Sequence, residues 1–337
     1  MLNIGVVGYG YWGPNIVRNF SSIPGAKVVS VCDLESRALS QVARNYPDMK
    51  VTQDSNDILT SPDIDAVAVI TPVSTHFEIA KKAILNGKHI FVEKPFTATI
   101  AQAEELIELA EQRNLTIMVD HTFLFTGSVR KIKEYIDADI LGGLYYFDST
   151  RINLGLFQRD VNVIWDLAPH DLSIMNYLVN RSPVAVAATG LSHFDNDIEN
   201  VAYITIYFPG NLIAHFNLSW ISPVKIRTTL IGGQKKMIVW NDLAADEKIR
   251  VYDRGVENTQ QLSKENEHTM RTSYRTGDMW SPRVEETEAL RCEAEYFVEC
   301  VNTNQRPFND GVAGLDVVRI LQATERSIKM GGELLYL

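Results

Sequence analysis

A carboxylate and an imidazole stand four residues apart in Trp165-Asp166-Leu167-Ala168-Pro169-His170-Asp171, and Glu93-Lys94-Pro95 directly follows an apolar run. Residues four apart share a face if the segment is helical. A carboxylate and an imidazole on one face suit proton transfer to or from a carbinol. A lysine at the end of a strand, its direction held by the proline after it, can hydrogen-bond a hydroxyl and lower its pKa by charge. Asp166 is expected to N-cap the helix that follows. Pro169, three positions on, has no N–H to give, which leaves the carboxylate freer for other work. The blander reading of the same residues is an N-cap, a satisfied histidine and a solvated surface lysine. A metal site from Asp166, His170 and Asp171 lacks further ligands at a suitable spacing.

A second constellation opens the chain. The run Asn3-Ile4-Gly5-Val6-Val7 leads into Gly8-Tyr9-Gly10-Tyr11-Trp12-Gly13, a helix-like segment follows over 14–20, and a β-like run over 26–32 ends at Asp33. Asp33 comes about 20 residues after the last glycine, the spacing of a dinucleotide fingerprint. Gly8 allows a tight turn out of the strand, Gly10 lets a pyrophosphate approach the backbone, and Gly13 lets helix and strand pack closely. Asp33 accepts hydrogen bonds from ribose hydroxyls and repels a 2′-phosphate, which favours NAD over NADP. Arg37 lies near enough to offset part of that charge.

These residues need a scaffold, and the chain is long enough to supply two. At 337 residues two domains are expected, each with a real core,. The net charge of −10 argues against bulk binding of nucleic acid or anionic membrane, though not against a local basic pocket,. Cys32, Cys292 and Cys300 lack C-x-x-C spacing and are too few for a disulfide framework, so they read as free thiols in a reducing compartment,. With no apolar run of membrane-spanning length and no leader-like start, the expected location is cytoplasmic.

Residues 1–121 alternate β and α. Strand-like runs lie at 49–51, 66–71, 89–92 and 115–119, with helices over 34–46, 75–86 capped by Ser74, and 100–113 capped by Thr99,. Six strands with intervening helices predict a doubly wound parallel sheet, whose ligands lie beyond the strands' carboxyl ends. Those ends carry the glycine loop, Asp33, Thr71-Pro72, Glu93-Lys94-Pro95 and Asp120-His121. After a helix over 128–137, long strand-like runs at 144–151, 184–190, 201–208, 211–219, 225–231, 237–240 and 248–252 predict one large, mostly antiparallel sheet, interrupted by a helix near 172–179. Residues 255–283 read as polar and irregular. Helices over 285–303 and 312–330 close the chain.

The glycine loop, Thr71-Pro72 with His76, Glu93-Lys94-Pro95 and Asp166-x-x-x-His170 together resemble the glucose-fructose oxidoreductase, inositol dehydrogenase and MocA (Gfo/Idh/MocA) family over essentially the whole chain. The resemblance implies a Rossmann domain over 1–121. It also implies a substrate-binding and oligomerisation domain over 122–337, whose open sheet would join homodimers or homotetramers. It implies a catalytic set of Lys94, Asp166 and His170. His170 would exchange the proton with the reacting hydroxyl, Lys94 would hydrogen-bond that oxygen or a neighbour, and Asp166 would orient the sugar or the histidine. Gly8, Gly10, Tyr11, Trp12, Gly13, Asp33, Thr71, Pro72, His76, Glu93 and Lys94 would surround NAD.

Two departures stand out. Val73 replaces an asparagine common after the Thr-Pro pair, and Asn162-Val163-Ile164-Trp165 replaces a glycine run, making a bulkier wall. Trp165 packs either near the nicotinamide or in the core. The family acts on pyranoses, inositols and nucleotide sugars. Arg151, Arg159 and Arg275, together with Asn153 and His121, are candidates for substrate contact, the arginines for a diphosphate; a solvated loop with salt bridges is the alternative. The subgroup's look leans toward oxidation at C3 of a UDP-N-acetylhexosamine. The alternatives are an inositol or free-pyranose dehydrogenase, an NADP-linked enzyme acting on a biliverdin or a dihydrodiol, and a non-catalytic NAD-binding regulator.

Overall fold

The computed structural model describes residues 1–337 except 156, 158–160, 195–197 and 259–271. In chain order the first elements are β1 (Leu2–Val7), α1 (Gly13–Ser22), β2 (Ala26–Cys32), α2 (Ser36–Asn45), β3 (Lys50–Thr52), α3 (Asn56–Leu59), β4 (Ala66–Val69), α4 (Val73–Leu85), β5 (His89–Glu93), α5 (Ile100–Arg113) and β6 (Ile117–Asp120). They are followed by α6 (Gly127–Asp137), β7 (Leu144–Leu154), α7 (Val163–Val179), β8 (Ala185–Leu191), β9 (Val201–Tyr207), β10 (Ile213–Ser219) and β11 (Ile221–Gly233). The last are β12 (Met237–Asn241), β13 (Ile249–Asn258), β14 (Thr272–Trp280), α8 (Ala289–Thr303), α9 (Gly311–Lys329) and β15 (Leu335–Tyr336).

β1 to β6 form one parallel sheet in the order β3-β2-β1-β4-β5-β6. Ala66 to Val69 of β4 are all buried, as expected of a strand covered on both faces,. The order reverses between β1 and β4, which is where a doubly wound sheet opens its ligand crevice. Thr99 caps α5 as expected, accepting from the Gln102 N–H at 3.3 Å. Ser74 does not cap α4. That helix starts at Val73 behind Pro72, whose ring presets the backbone at a position where no N–H is needed,.

The second sheet has nine strands in the order β14-β13-β12-β11-β7-β10-β9-β8-β15. Its neighbours are antiparallel except β7 and β10. Phe147, Ser149 and Arg151 of β7 and Ala202, Ile204 and Ile206 of β9 are buried, and α7 packs against β7, β9 and β10. Tyr203 and Tyr207 alternate to the other face and are exposed. Two strands depart from expectation: the two-residue β15 lies outside the expected runs, and β14 falls inside the stretch read as irregular. Among the described residues β14 pairs only with β13, at the sheet edge, and its described side chains are exposed or half-buried. An edge strand without a buried face shows no period-two signal.

The chain folds into two compact units: Met1–Thr126 with Thr287–Gln322, and Gly127–Glu286 with Ala323–Leu337. A boundary at 121/122 therefore leaves out part of the first unit. The cause is packing. Phe297 of α8 meets Phe20 at 6.0 Å and Phe91 at 5.6 Å between ring centroids, edge to face, and Phe20 meets Phe91 at 5.3 Å,. Among the described residues, no helix is long and apolar enough to cross a membrane.

Removing the Phe297 ring from this buried trio should cost about 3–5 kcal/mol of stability. Denaturant unfolding of Phe297→Ala measures it, and a chain ending at 121 should show no cooperative transition in the same assay.

Candidate active site

The glycine loop separates its three glycines by what each one meets. Gly8 sits at φ +101°, and a Cβ there would lie 2.3 Å from the Ile70 carbonyl oxygen at the end of β4. A Cβ on Gly13 would lie 2.8 Å from the Gly8 oxygen. Both positions are closed by the protein itself. At Gly10 a Cβ would meet nothing within 4 Å, so its lack of a side chain answers no need of the fold and suits close approach of a ligand phosphate. Trp12 stands at the N-cap of α1 and makes no side-chain cap bond, leaving the helix's positive end to an outside anion. Asp33 accepts from the Tyr9 N–H at 2.6 Å and the Glu35 N–H at 2.8 Å. A carboxylate has about four lone-pair sites, so it can hold the loop and still accept from ribose hydroxyls. The donor set fits NAD.

The ends of β4, β5 and β6 carry the other residues expected around the cofactor in this unit. His76, expected to line the nicotinamide, is instead fully buried, with Nδ1 2.9 Å from the Pro95 oxygen and Nε2 2.7 Å from the Thr71 oxygen. It ties the turn bearing Thr71-Pro72 to the turn bearing Lys94-Pro95 and so positions both. Burial lowers its pKa against the opposing pull of those carbonyls, with Lys94's charge lowering it further; the neutral ring has one N–H and donates to one carbonyl at a time. Lys94 is half-buried and precedes a cis peptide to Pro95. Its charge acts on Glu93 as well as on the imidazoles of His76 and His121.

Glu93 and Asp120 are neighbours across β5 and β6. Burial, then the charge of Asp120, pushes the Glu93 carboxyl well above the usual range, with Lys94 pulling the other way. Asp120 accepts from the Trp12 indole Nε1–H at 2.9 Å and from both the backbone N–H and the hydroxyl of Thr122. His121 is buried, and burial lowers it to about 4 despite Asp120, so it is neutral near pH 7.

In the second unit the start of α7 differs from expectation. Asn162, not Asp166, is the N-cap, its side-chain oxygen taking the N–H groups of Ile164 at 3.2 Å and Trp165 at 3.1 Å. Asp166 lies in the first turn, where the helix dipole favours a carboxylate,. Pro169 is inside the helix and costs the Trp165 carbonyl its usual partner, not Asp166,. Asp166 and His170 do share a helical face.

Trp220, just past β10, donates its indole N–H to Asp166 Oδ2 at 3.0 Å and is buried. The sequence expectations do not include it; the available signal is that a buried tryptophan needs an acceptor for its N–H. Asn153 lies beside it, since a Cβ on Gly155 would be 3.1 Å from Asn153 Nδ2 and 3.2 Å from Trp220 Cδ1.

The candidate substrate cations are engaged elsewhere. Arg151 is 5% exposed and forms a two-pronged pair with Asp171, at 2.8 Å and 2.7 Å. It clamps α7 to β7 from another side of the helix rather than offering a diphosphate-binding surface. Arg275 lies on β14 and pairs with Asp253 on β13 at 3.0 Å. Trp165 is buried. Arg159 lies outside the described residues.

Comparison with known proteins adds three findings. The model of an oxidoreductase family with an NAD-binding Rossmann fold, GFO/IDH/MocA, matches residues 2–121, and the model of that family's C-terminal domain matches 129–239. UDP-N-acetylglucosamine 3-dehydrogenase of Acidithiobacillus ferrooxidans is 26% identical over 94% of both chains. Its solved structure superposes with TM-score 0.80 over 98% of each chain at 24% identity, a likeness of fold. NAD-dependent scyllo-inositol 2-dehydrogenase of Bacillus subtilis is 33% identical over 56% of both chains. A levoglucosan dehydrogenase in complex with NADH and levoglucosan shares the fold with TM-score 0.84 at 20% identity, covering all of this chain and 99% of that one.

Gly10→Val should leave the melting temperature of the ligand-free protein unchanged and weaken NADH binding more than about tenfold, measured by fluorescence titration. Arg151→Met strips a partner from a buried carboxylate and should cost about 3–5 kcal/mol in denaturant unfolding.

Proposed function

This chain belongs to the Gfo/Idh/MocA family of NAD-binding oxidoreductases, and from that premise we propose that it interconverts a secondary hydroxyl and a ketone on a sugar. The observation that carries the reading is the paired placement of Asp166 and His170 on one face of α7, with Trp220 fixing the carboxylate. Bound NAD supplies the hydride acceptor. His170 takes the hydroxyl proton as general base, and Asp166 orients the ring or the sugar. Lys94, in the first unit, hydrogen-bonds the reacting oxygen or its neighbour and stabilises negative charge on it. Gly8 to Gly13 and Asp33 hold the pyrophosphate and ribose.

A nucleotide sugar such as a UDP-N-acetylhexosamine, oxidised at C3, is the favoured substrate. The support is the similarity to a UDP-N-acetylglucosamine 3-dehydrogenase along nearly the full length of both chains. An inositol or free pyranose is the second reading. It is favoured by the scyllo-inositol relative and by the pairing of both Arg151 and Arg275 with aspartates. The exposed face of the second sheet, with Tyr203 and Tyr207, is assigned to contacts between copies of the chain.

His170→Ala should lower kcat by about 10²–10⁴-fold, and Lys94→Met should also lower it, both with NADH affinity retained. Unchanged turnover in either variant removes that residue from the mechanism. A thermal-shift screen with NADH present, across UDP-sugars, free hexoses and inositols, should show a melting-temperature rise for the UDP-sugars. NADH binding without turnover of any of them would instead mark a cofactor-sensing regulator.

A further inference from the structure

The carboxyl cluster at the ends of β5 and β6 has a third member from far along the chain. Glu293, on α8, is fully buried. Its Oε1 accepts from Asn309 Nδ2 at 3.0 Å, and the same amide donates to the Val119 oxygen at 2.9 Å. Its Oε2 is buried and makes no hydrogen bond among the described residues. Asp120 and Thr122 are both within side-chain hydrogen-bond reach of Glu293. Two ionised carboxylates in contact away from water repel each other strongly. A carboxylic acid instead has one O–H to donate. A proton on Glu293 Oε2 gives that oxygen a partner and adds a donor to the oxygens of Asp120.

We propose that Glu293 is a positioning residue of the cofactor site, acting as a carboxylic acid whose proton is hydrogen-bonded to Asp120, which in turn holds the Trp12 indole of the glycine loop. The proposal rests on the reading of Gly8 to Gly13 as the pyrophosphate loop. Burial, then the charge of Asp120, raises Glu293 well above the ordinary carboxyl range, with Glu93 adding to it and Thr122 opposing. The other titratable groups facing the cluster are Lys94, beside Glu93, and the neutral His121, beside Asp120. A neutral Glu293 also spares the diphosphate-binding loop a second buried anion behind Trp12.

The test compares Glu293→Gln, which keeps a donor and cannot ionise, with Glu293→Leu, which has none. Gly10→Val serves as the control for the loop. NADH titrations should give Glu293→Gln an affinity within about threefold of wild type, and Glu293→Leu a loss of about tenfold or more. In the Glu293→Leu background, Trp12→Phe should add little further loss, as expected of residues acting through one path.

Stability follows a definite sign. The native Glu293 keeps a proton that the unfolded chain releases above about pH 4.3. Wild type therefore loses stability as pH rises past that value toward the folded pKa, and Glu293→Gln does not. The melting temperature of Glu293→Gln minus that of wild type should grow from pH 5 to pH 8. A constant or shrinking gap overturns the proposal, as does a Gln variant that binds NADH as poorly as the Leu variant. If Glu293→Leu fails to fold, the Gln variant's affinity and pH-dependent gap decide. Normal binding by Glu293→Leu alongside impaired Gly10→Val refutes the positioning role alone, whereas normal binding by Gly10→Val refutes the loop reading and the proposal with it.

Discussion

The strand ends of the first unit converge on one acceptor, the carboxylate of Asp120. The Trp12 indole, the Thr122 backbone and the Thr122 hydroxyl all donate to it, and Glu93 stands opposite on the next strand. A buried carboxylate has to be satisfied by several donors or it destabilises everything around it. The donors that satisfy it here belong to the glycine loop and to the turn after β6. Satisfying Asp120 therefore ties a loop from the start of the chain to a strand end more than a hundred residues later, across the crevice where a doubly wound sheet binds its ligand,. His76 makes the equivalent tie between the turns after β4 and β5. Loop positions that hold a flexible cofactor are thus set by buried polar contacts rather than by the loops themselves.

The second unit solves the same problem with different chemistry. Asp171 and Arg151 lock α7 to β7 through a buried two-pronged pair. Such a pair contributes more to the register of helix on sheet than to net stability, because desolvation offsets much of the attraction. With the helix held, the four-residue spacing puts Asp166 and His170 on one face, and one indole N–H from Trp220 fixes the carboxylate's rotamer,. Asn162 supplies the cap that starts the helix where this spacing works. The acid that looks like a cap in the sequence instead lies in the first turn and accepts from Trp220.

Much of this is legible in the residues. Apolar runs buried on both faces announce parallel strands, so β1, β2, β4 and β5 fall close to where they are expected, and the glycine spacing with Asp33 places the crevice. What escapes are features whose partners are distant in sequence or whose pattern is silent. β14 is a polar edge strand with no buried face, and nothing in its residue alternation marks it. Trp220 meets an acceptor 54 residues back. His76 matches a motif but is buried between the two turns it ties, and Arg151, a candidate cation by its charge, is paired with Asp171. Motif matching identifies which residues matter at a site. Only burial and hydrogen-bond partners separate those facing the ligand from those holding them.

Glu293 shows why the first unit needs its C-terminal helix. On α8 the buried positions are Leu290, Glu293, Ala294, Phe297, Val298 and Cys300, an i, i+3, i+4, i+7, i+8, i+10 stripe in which one member is an acid,. An ionised glutamate there would place a second buried negative charge beside Asp120,. Held protonated, it is a polar hydrogen-bond donor of aliphatic bulk, compatible with the Phe20, Phe91 and Phe297 packing one turn away. The same helix thus supplies an apolar cover for the parallel sheet through Phe297 and a polar contact beneath the cofactor loop through Glu293. Neither contribution lies within residues 2–121. The segment that looks like a complete dinucleotide-binding domain therefore depends, for its core and for the set of its glycine loop, on a helix that follows β14, far along the chain.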